Sequence, residues 1–327
     1  MTIFTTLKFG SVQIHYNFDN FEAIRPVVTI GTFDGVHMGH REVISELKRL
    51  SAISGGDSVI FTFEPHPRIV IAPNEDSLRL LSSKNEKINL MQKIGIDHLV
   101  IYPFTVDFSK LSYSEFVSNI LVEKMRISSL VVGYDHRFGQ GRKGDFSSLE
   151  LLSKTLNFKV EQLSQLLVDN MVVSSTKIRS ALESGDIVKA NHFLGYRYTL
   201  SGKVIEGKQL GRTLGFPTAN IEAFDDHKLV PGDGVYAVFV RTGEKIHKGM
   251  LNVGIRPTVN YNADHKSIEV HIFDFDSDIY NTEITLYFVL KIRDEQKFDG
   301  IVELQEQLVK DRILASKILS EEILEQL

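Results

Sequence analysis

The chain has 327 residues, enough for two domains that each bury a hydrophobic core. It contains no cysteine, which excludes disulfides and thiolate chemistry and fits a reducing cytoplasm. The net charge of −5 gives no general reason to bind nucleic acid, and no apolar run reaches the roughly 20 residues of a membrane helix. The first residues lack the pattern of a signal peptide, so we expect a cytoplasmic protein.

The first half of the chain alternates between apolar β-type runs and helical patterns. The predicted strands are apolar throughout, which is typical of strands buried on both faces of a parallel sheet. Strands separated by helices form βαβ units, whose sheets bind ligands beyond the carboxyl ends of the strands. The predicted strands are Val27–Phe33, Asp57–Phe63, Asp97–Phe104, Ser128–Tyr134 and Phe158–Leu163. The predicted helices are Arg41–Ser54, Ser83–Ile94, Ser112–Lys124, Phe146–Thr155, Ser175–Glu183 and Ile187–Phe193.

After about Gly195 the pattern changes to short strand-like runs with no long helices between them. Turns rich in Gly, Pro and Asn or Asp separate these runs, as in an antiparallel barrel or sandwich. A closing helix is predicted within Gly300–Leu327. The sequence therefore predicts an α/β domain with a parallel sheet at residues 1–186 and a β-rich domain at residues 187–327.

The stretch GTFDGVHMGH, residues 31–40, follows the first predicted strand and precedes a helix. Gly31 and Gly35 permit a tight turn and the close approach of a ligand. A helix N-terminus has free N–H groups and a positive dipole end, which favour phosphate. His37 and His40 lie at this helix start, where imidazoles donate hydrogen bonds to phosphate oxygens and protonation would add positive charge. We interpret the stretch as a phosphate site rather than as ordinary capping histidines.

Two further segments of the first half favour anion binding. VVGYDHRFGQGRKGD, residues 131–145, is a Gly-rich basic loop with Arg137, Arg142 and Lys143, although a surface hairpin is the alternative. SSTKIRSAL, residues 174–182, is a hydroxyl-rich helix start that carries Lys177 and Arg179 in its first turn. Cations there oppose the helix dipole, and a bound anion would relieve that conflict.

GTFDGVHMGH resembles the H-x-G-H signature of the nucleotidyltransferase superfamily, and SSTKIRSAL resembles its second signature. Members of that superfamily transfer an adenylyl group from ATP on a dinucleotide-fold-like sheet. The resemblance implies that His37, His40 and Arg179 are catalytic. It implies that the nucleotide and its phosphates are bound by Gly31, Phe33, Asp34, Gly35, Asp135, Arg137, Ser175 and Thr176.

The β-rich half contains a second candidate site, GKQLGRTLGFPTANI, residues 207–221. Its glycines and basic residues suit a flap that covers phosphates, with Pro217 fixing the backbone after it. Thr218 and Asn220 then present oxygens of the hard type that Mg²⁺ prefers. A glycine-rich hairpin with a proline turn is the alternative. The candidate nucleotide-binding residues are Lys208, Gly211, Arg212, Gly215, Pro217 and Asn220, and the candidate metal ligands are Thr218 and Asn220.

GRTLGFPTAN is similar to the flap and Pro-Thr-Ala-Asn motif of riboflavin kinases, which are six-stranded barrels. The resemblance implies that Glu269 is the general base and that Thr218 and Asn220 contact the metal and the phosphates. The alternation of SIEVHIF alone favours a simpler interpretation, in which Glu269 is an outward-facing polar residue. The family resemblance reverses that preference.

In this order, the two halves resemble the bacterial bifunctional riboflavin kinases/FMN adenylyltransferases. The resemblance implies that riboflavin is phosphorylated with Mg²⁺ and ATP, and that FMN is then adenylylated to FAD with release of pyrophosphate. His136 departs from the aromatic residue common in the family's loop, which leaves ring stacking there open. Three alternatives are an enzyme with a silent barrel, a non-catalytic flavin sensor and an RNA-binding protein. We expect small-molecule substrates and no membrane partner, and the sequence leaves a homo-oligomer open.

Overall fold

The computed structural model describes residues 12–73, 78–134, 136–164, 167–168, 171–207, 210–255 and 266–325. The chain forms two compact units. The first consists of Met1–Leu78 and Lys87–Val173, and the second of Arg79–Glu86 and Ser174–Leu327. A short segment from the first half of the chain therefore belongs to the second unit.

The first unit contains a parallel sheet of six strands in the order β1-β4-β3-β2-β5-β6. After β2 the chain adds β3 and β4 on one side and then crosses to the other side with β5. The topological switch point thus lies between β2 and β5, where ligands of such sheets bind beyond the carboxyl ends. The strands are β1 Gln13–His15, β2 Val27–Ile30, β3 Ser58–Glu64, β4 His98–Pro103, β5 Ser129–Val132 and β6 Lys159–Gln162.

Both faces of this sheet are buried, as the unbroken apolar runs predict. Val28 and Leu130 pack into the core on one face, whereas Val27 and Ile60 pack into the core on the other. Helices cover these faces. They are α1 Met38–Ser54, α2 Pro67–Ile71, α3 Lys84–Ile94, α4 Val106–Ser109, α5 Tyr113–Glu115, a π-helix at Phe116–Lys124, a 3₁₀ turn at Gln140–Arg142 and α6 Phe146–Leu156.

Some elements of the first unit differ from the prediction. The sequence does not predict the edge strand β1, the helix α2 or a small antiparallel pair, β7 Leu167–Val168 and β8 Met171–Val172. The predicted helix from Ser112 begins with a capping box between Ser112 and Glu115, but its longer part winds as a π-helix. The predicted strand from Val27 ends at Ile30, because the chain enters a turn at Gly31.

The second unit contains a closed antiparallel barrel of six strands in the order β10-β13-β12-β11-β14-β9. This architecture, with the helix α10 Ile301–Ile318 after it, confirms the predicted fold class. The strands are β9 Thr199–Ile205, β10 Ala219–Ala223, β11 Gly234–Thr242, β12 Lys245–Ile255, β13 Lys266–Ile272 and β14 Glu283–Arg293. The remaining helices are α7 Ser175–Glu183, α8 Ile187–Leu194, α9 Leu210–Thr213 and α11 Glu321–Leu324.

The helix α10 packs on the outer face of the barrel. Ala315 and Leu319 are fully buried in a core with Phe239 of β11 and Met250 of β12. An ion pair supports this contact, since Asp311 of α10, 2% exposed, accepts hydrogen bonds from the Arg293 guanidinium at 2.8–3.1 Å. Breaking such a buried pair on one side typically costs about 3–5 kcal/mol. The ion pair therefore helps to hold α10 against the end of β14, which carries Arg293.

The segment Arg79–Glu86 is built into the second unit by buried polar contacts. Lys228 Nζ donates to Glu86 Oε2 and to the carbonyl oxygen of Leu81, both at 2.6 Å. Glu86 Oε1 accepts a hydrogen bond from the backbone N–H of Ser201 in β9 at 3.2 Å. Lys228 and Glu86 are 4% and 8% exposed, so each charge depends on the other.

Among the described residues, no helix is long and apolar enough to cross a membrane.

Candidate active sites

The turn between β2 and α1 holds the first candidate site in an unusual backbone conformation. Phe33, Gly35 and Val36 have φ angles of +47°, +77° and +39°. A positive φ is ordinary for glycine and strained for a β-branched valine, and such strain is concentrated at functional sites. Val36 is fully buried, and Phe33 and Asp34 are nearly so. Packing therefore holds the turn in one conformation at the carboxyl end of β2.

The two histidines lie together at the N-terminus of α1. His37 is the N-cap residue, and its Nδ1 accepts a hydrogen bond from the backbone N–H of His40 at 3.3 Å. The two rings stack with their centroids 3.7 Å apart. Gly39 leaves room for this arrangement, because a Cβ there would lie 3.3 Å from the His37 ring. The structure thus brings both predicted histidines to one helix start.

The surroundings of His40 favour its neutral form. Burial lowers its pKa well below the ordinary value of 6.5, and the nearby His37 and Lys87 act in the same direction. Positive charge on this ring, which the sequence suggested as one contribution, is therefore absent before a ligand binds. The Nδ1 of His40 is buried and has no hydrogen-bond partner within the described ranges. A neutral imidazole can donate from that atom, so the orphaned nitrogen fits a ligand oxygen.

Arg137 and His136, which follow β5, each contact another side chain of the same region. Arg137 Nη1 donates to Asp145 Oδ2 at 3.2 Å, and Asp145 caps α6 by accepting from the backbone N–H of Ser148 at 3.0 Å. Hydrogen bonds from Ser148, followed by the charge of Arg137, lower the pKa of Asp145. The His136 ring stacks on Phe138 with centroids 5.7 Å apart, as an aromatic side chain would. Asp135, which the sequence places in this site, lies outside the described residues.

The remaining predicted residues of the first site lie on α7, in the second unit. The Ser174 hydroxyl caps this helix by accepting from the backbone N–H of Lys177 at 3.4 Å. Ser175 and Thr176 begin the helix, and Arg179 Nε donates to the carbonyl oxygen of Arg79 at 2.6 Å. The candidate catalytic residues are therefore divided, with both histidines in the first unit and Arg179 in the second.

Sequence reasoning missed a group of half-buried aromatic rings at the carboxyl ends of β3 and β4. Phe63 contacts Phe104 and Phe108, with ring centroids 5.4 and 5.8 Å apart. Tyr102 lies 5.2 Å from Phe108. All four side chains keep part of their surface exposed, so they offer a platform for a planar ligand. The sequence does indicate this group, since Phe63 and Phe104 are the last residues of two predicted strands.

The second candidate site begins with the glycine-rich segment before β10. The Gly211 carbonyl accepts hydrogen bonds from the N–H groups of Leu214 and Phe216, at 3.1 and 2.8 Å. A methyl group at Gly211 would collide with the carbonyl oxygen of Phe216, so only glycine fits this turn. Leu214 and Phe216 are buried in the core under α10, whereas Arg212 is exposed. Gly215, with a φ of +80°, is also exposed, and Lys208 lies outside the described residues.

Polar side chains form a row across three neighbouring barrel strands. Asn220 of β10 pairs with Glu269 of β13, and Glu269 pairs with Asn252 of β12. Residues that pair directly project from the same face of a sheet, and this face also carries Met250, which packs under α10. Glu269 is partly exposed on this outer face. Glu269 therefore faces outward, as the alternation of its strand predicts, and it also lies next to Asn220. Asn252 was missed, although a polar residue within the apolar run GMLNVGI is a signal.

Thr218 and Asn220 lie at the start of β10, where the backbone of Gly207 approaches the Asn220 side chain closely. Thr218 precedes β10 directly and is partly exposed, and Asn220 is 5% exposed. A methyl group at Gly207 would collide with the side-chain amide of Asn220. Hydroxyl and amide oxygens beside a carboxylate are the ligand types that Mg²⁺ accepts, so the donor set fits that ion.

Comparison with known proteins matches two consecutive regions of the chain to families of enzymes. A family model described as FAD synthetase matches residues 21–177, and one described as riboflavin kinase matches residues 194–319. Proteins named bifunctional riboflavin kinase/FMN adenylyltransferase are similar over most of the chain. That of Listeria monocytogenes is 37% identical and covers 90% of this chain and 92% of its own. That of Escherichia coli K12 is 36% identical, and the match covers 88% of this chain and 91% of the Escherichia coli protein.

A solved structure has the same two-unit fold. The crystal structure titled macrolide-efflux protein from Streptococcus pneumoniae superposes with a TM-score of 0.84 at 28% identity. It covers 94% of this chain and 99% of its own. The activity in that title is stated for that protein, whereas the family models and curated relatives name flavin enzymes.

Proposed function

This chain belongs to the bifunctional riboflavin kinase/FMN adenylyltransferase family, and on that premise we propose which of its residues perform the two reactions. The C-terminal half phosphorylates riboflavin to FMN, and the N-terminal half adenylylates FMN to FAD. The observation that carries this conclusion is the match of two family models to consecutive regions. We place the functional boundary between residues 186 and 187, which lies between the matched regions.

In the kinase reaction, Glu269 is the general base. Its carboxylate accepts the proton of the riboflavin 5′-hydroxyl while that oxygen attacks the γ-phosphate of ATP, and ADP leaves. The pairing of Glu269 with Asn220 on adjacent strands supports this role, because it places a base beside the predicted phosphate site. A general base contributes typically about 10²–10⁴-fold, and the rest of catalysis is positioning and charge neutralisation.

Thr218 and Asn220 would hold Mg²⁺ in this reaction. The ion supplies charge neutralisation on the phosphates when it is bound. The flap from Gly207 to Gly215 covers the phosphates, with Arg212 exposed toward solvent for an anionic group. The tight turn at Gly211 ties this flap to Phe216, two residues before Thr218.

In the adenylyl transfer, a phosphate oxygen of FMN attacks the α-phosphate of ATP, and pyrophosphate leaves. The nucleophile is already an anion, so the site needs no strong base and has to stabilise negative charge. His37 and His40 at the start of α1 donate to phosphate oxygens, and the buried free nitrogen of His40 supports this assignment. Ser175, Thr176 and Arg179 bind the remaining phosphate oxygens.

The flavin ring of FMN packs on the aromatic platform formed by Phe63, Tyr102, Phe104 and Phe108. These rings lie at the carboxyl ends of β3 and β4, and β3 is the neighbour of the strand that leads to the histidines. A planar apolar ring system gains both buried area and stacking from such a surface. We further propose that the enzyme acts in the cytoplasm and that it has no nucleic-acid or membrane partner.

Two variants test these assignments in one assay. Glu269→Gln should abolish FMN formation from riboflavin and leave the adenylylation of supplied FMN unchanged, because it removes only the base. His40→Gln should block FAD formation and let FMN accumulate. Flavin chromatography after incubation with Mg²⁺ and ATP separates the three flavins. Loss of both activities in either variant, or normal FAD synthesis by His40→Gln, would contradict the assignments.

A further inference from the structure

The segment that leads into β10 is anchored by hydrogen bonds to two of its carbonyl groups. Gln305 of α10 donates from Nε2 to the carbonyl oxygen of Leu214 at 3.2 Å. His271 of β13 contacts the carbonyl oxygen of Pro217 through Nδ1 at 2.8 Å. The second contact is at the residue directly before Thr218. It therefore fixes the backbone from which Thr218 and Asn220 project.

The chemistry of the Pro217 contact assigns the proton of His271. A carbonyl oxygen only accepts hydrogen bonds, so His271 Nδ1 carries a proton and donates it. The other ring nitrogen, Nε2, is buried without a partner in the described part of the chain. A proton there would be buried and unpaired, and burial accordingly lowers the pKa of His271. The residue is thus a neutral imidazole with one defined donor.

Packing leaves this ring little freedom to turn away. His271 is 6% exposed, and its ring lies 5.3 Å from that of Phe216 and 5.6 Å from that of Phe273. It also lies two residues after Glu269 on the same strand, and therefore on the same face of the barrel. Strand β13 thus carries both Glu269, the proposed base, and His271, which donates to the carbonyl oxygen of Pro217.

We infer that His271 is a positioning residue of the kinase reaction, which holds the Pro217 carbonyl and so sets Thr218 and Asn220 in register with Glu269. This inference rests on the proposed kinase site. It goes beyond that site because it assigns a role to a residue that does not touch the reacting atoms. The competing explanation is that His271 only packs its ring against Phe216 and Phe273. In that case the hydrogen bond from Nδ1 would not affect the kinase reaction.

Three substitutions of His271 separate the donor from the packing. His271→Asn keeps a donor close to the place of Nδ1, His271→Gln moves the donor toward the place of Nε2, and His271→Phe keeps the ring without a donor. We expect His271→Asn to retain kcat/KM for riboflavin phosphorylation within about threefold, and the other two to lose about tenfold. His247→Phe is the matched control, since His247 is a partly buried barrel histidine in ring contact with Phe275.

Adenylylation of supplied FMN should be unchanged in all four variants, which shows that the loss is confined to the kinase. Equal kinase activity of His271→Asn and His271→Gln, or a wild-type level in His271→Phe, would overturn the inference. The Asn and Gln variants are both polar, so their comparison remains decisive if His271→Phe is unstable. Glu269→Gln identifies a different failure: if it keeps kinase activity, the proposed site itself is wrong.

Discussion

At the scale of single residues, the most informative feature is the neutral state of His40. A ring that donates a hydrogen bond without carrying charge can bind phosphate over a wide pH range above its lowered pKa. Positive potential beside these rings then comes from the N-terminus of α1. The histidines are therefore suited to orient phosphate oxygens rather than to neutralise them.

The lowered pKa of His40 predicts a pH dependence of stability. Below about pH 6.5 the unfolded chain binds a proton at this residue, whereas the folded protein does not bind one until the pH is much lower. The free energy of unfolding therefore decreases as the pH falls. His40→Gln removes this contribution. Between pH 7 and 5.5, the free energy of unfolding of the wild type should fall more steeply than that of the variant, by up to about 1.4 kcal/mol per pH unit.

Denaturant titrations at several pH values measure this difference. His227→Gln is the control, because that side chain is exposed and its substitution should leave the slope unchanged. Parallel slopes for the wild type and His40→Gln would show that the folded protein protonates His40 as easily as the unfolded chain does.

The sequence motifs nominate candidate residues, but they do not predict the backbone conformations of those residues. The motif around His37 predicts a helix start, and the structure places His37 at the N-cap. The positive φ of Val36 has no local signal, since valine disfavours it and only the surrounding packing imposes it. His271 was missed because its hydrogen bond joins Pro217 to a strand far along the chain.

At the scale of elements, the turn at Gly211 leaves no room for a side chain in the segment before Thr218. A side chain there meets the carbonyl of Phe216, so Gly211→Ala has to displace the backbone that leads to Thr218. Displacements of about 1 Å at a catalytic site cost roughly 10²-fold in rate. We expect a loss of that order in riboflavin phosphorylation, with unchanged adenylylation of FMN, in steady-state assays of the two reactions.

Gly300→Ala is the control for that substitution. Gly300 has an extended backbone, and a Cβ there meets open space. It should therefore keep both activities. If Gly211→Ala also kept its kinase activity, the segment would not need the tight turn, and its role as a flap would be contradicted.

Long periodic elements were predictable, and short or irregular ones were not. The helix Ser175–Glu183 has the predicted bounds, because a hydroxyl cap and a regular apolar face define it locally. The edge strand β1 has only Gln13–His15, and its pairing with β4 defines it rather than its composition. The π-helical winding of Phe116–Lys124 likewise has no signature in a propensity pattern.

At the scale of the whole molecule, the chain is organised as two units that are not simple halves of the sequence. The sequence indicates a change of fold near residue 186, and the two folds occur as predicted. It does not indicate that Arg79–Glu86 belongs to the second unit, because the contacts of Glu86 with Lys228 and Ser201 span more than a hundred residues. Such contacts follow from tertiary packing and leave no local pattern.

This one chain phosphorylates riboflavin and adenylylates the product, FMN. The most direct measurement is chromatography of the flavins formed by the purified protein with Mg²⁺ and ATP, in one reaction started from riboflavin and one from FMN. We predict FMN followed by FAD in the first reaction and FAD in the second. FAD from supplied FMN with no product from riboflavin would contradict the kinase assignment, and no product in either reaction would contradict both activities.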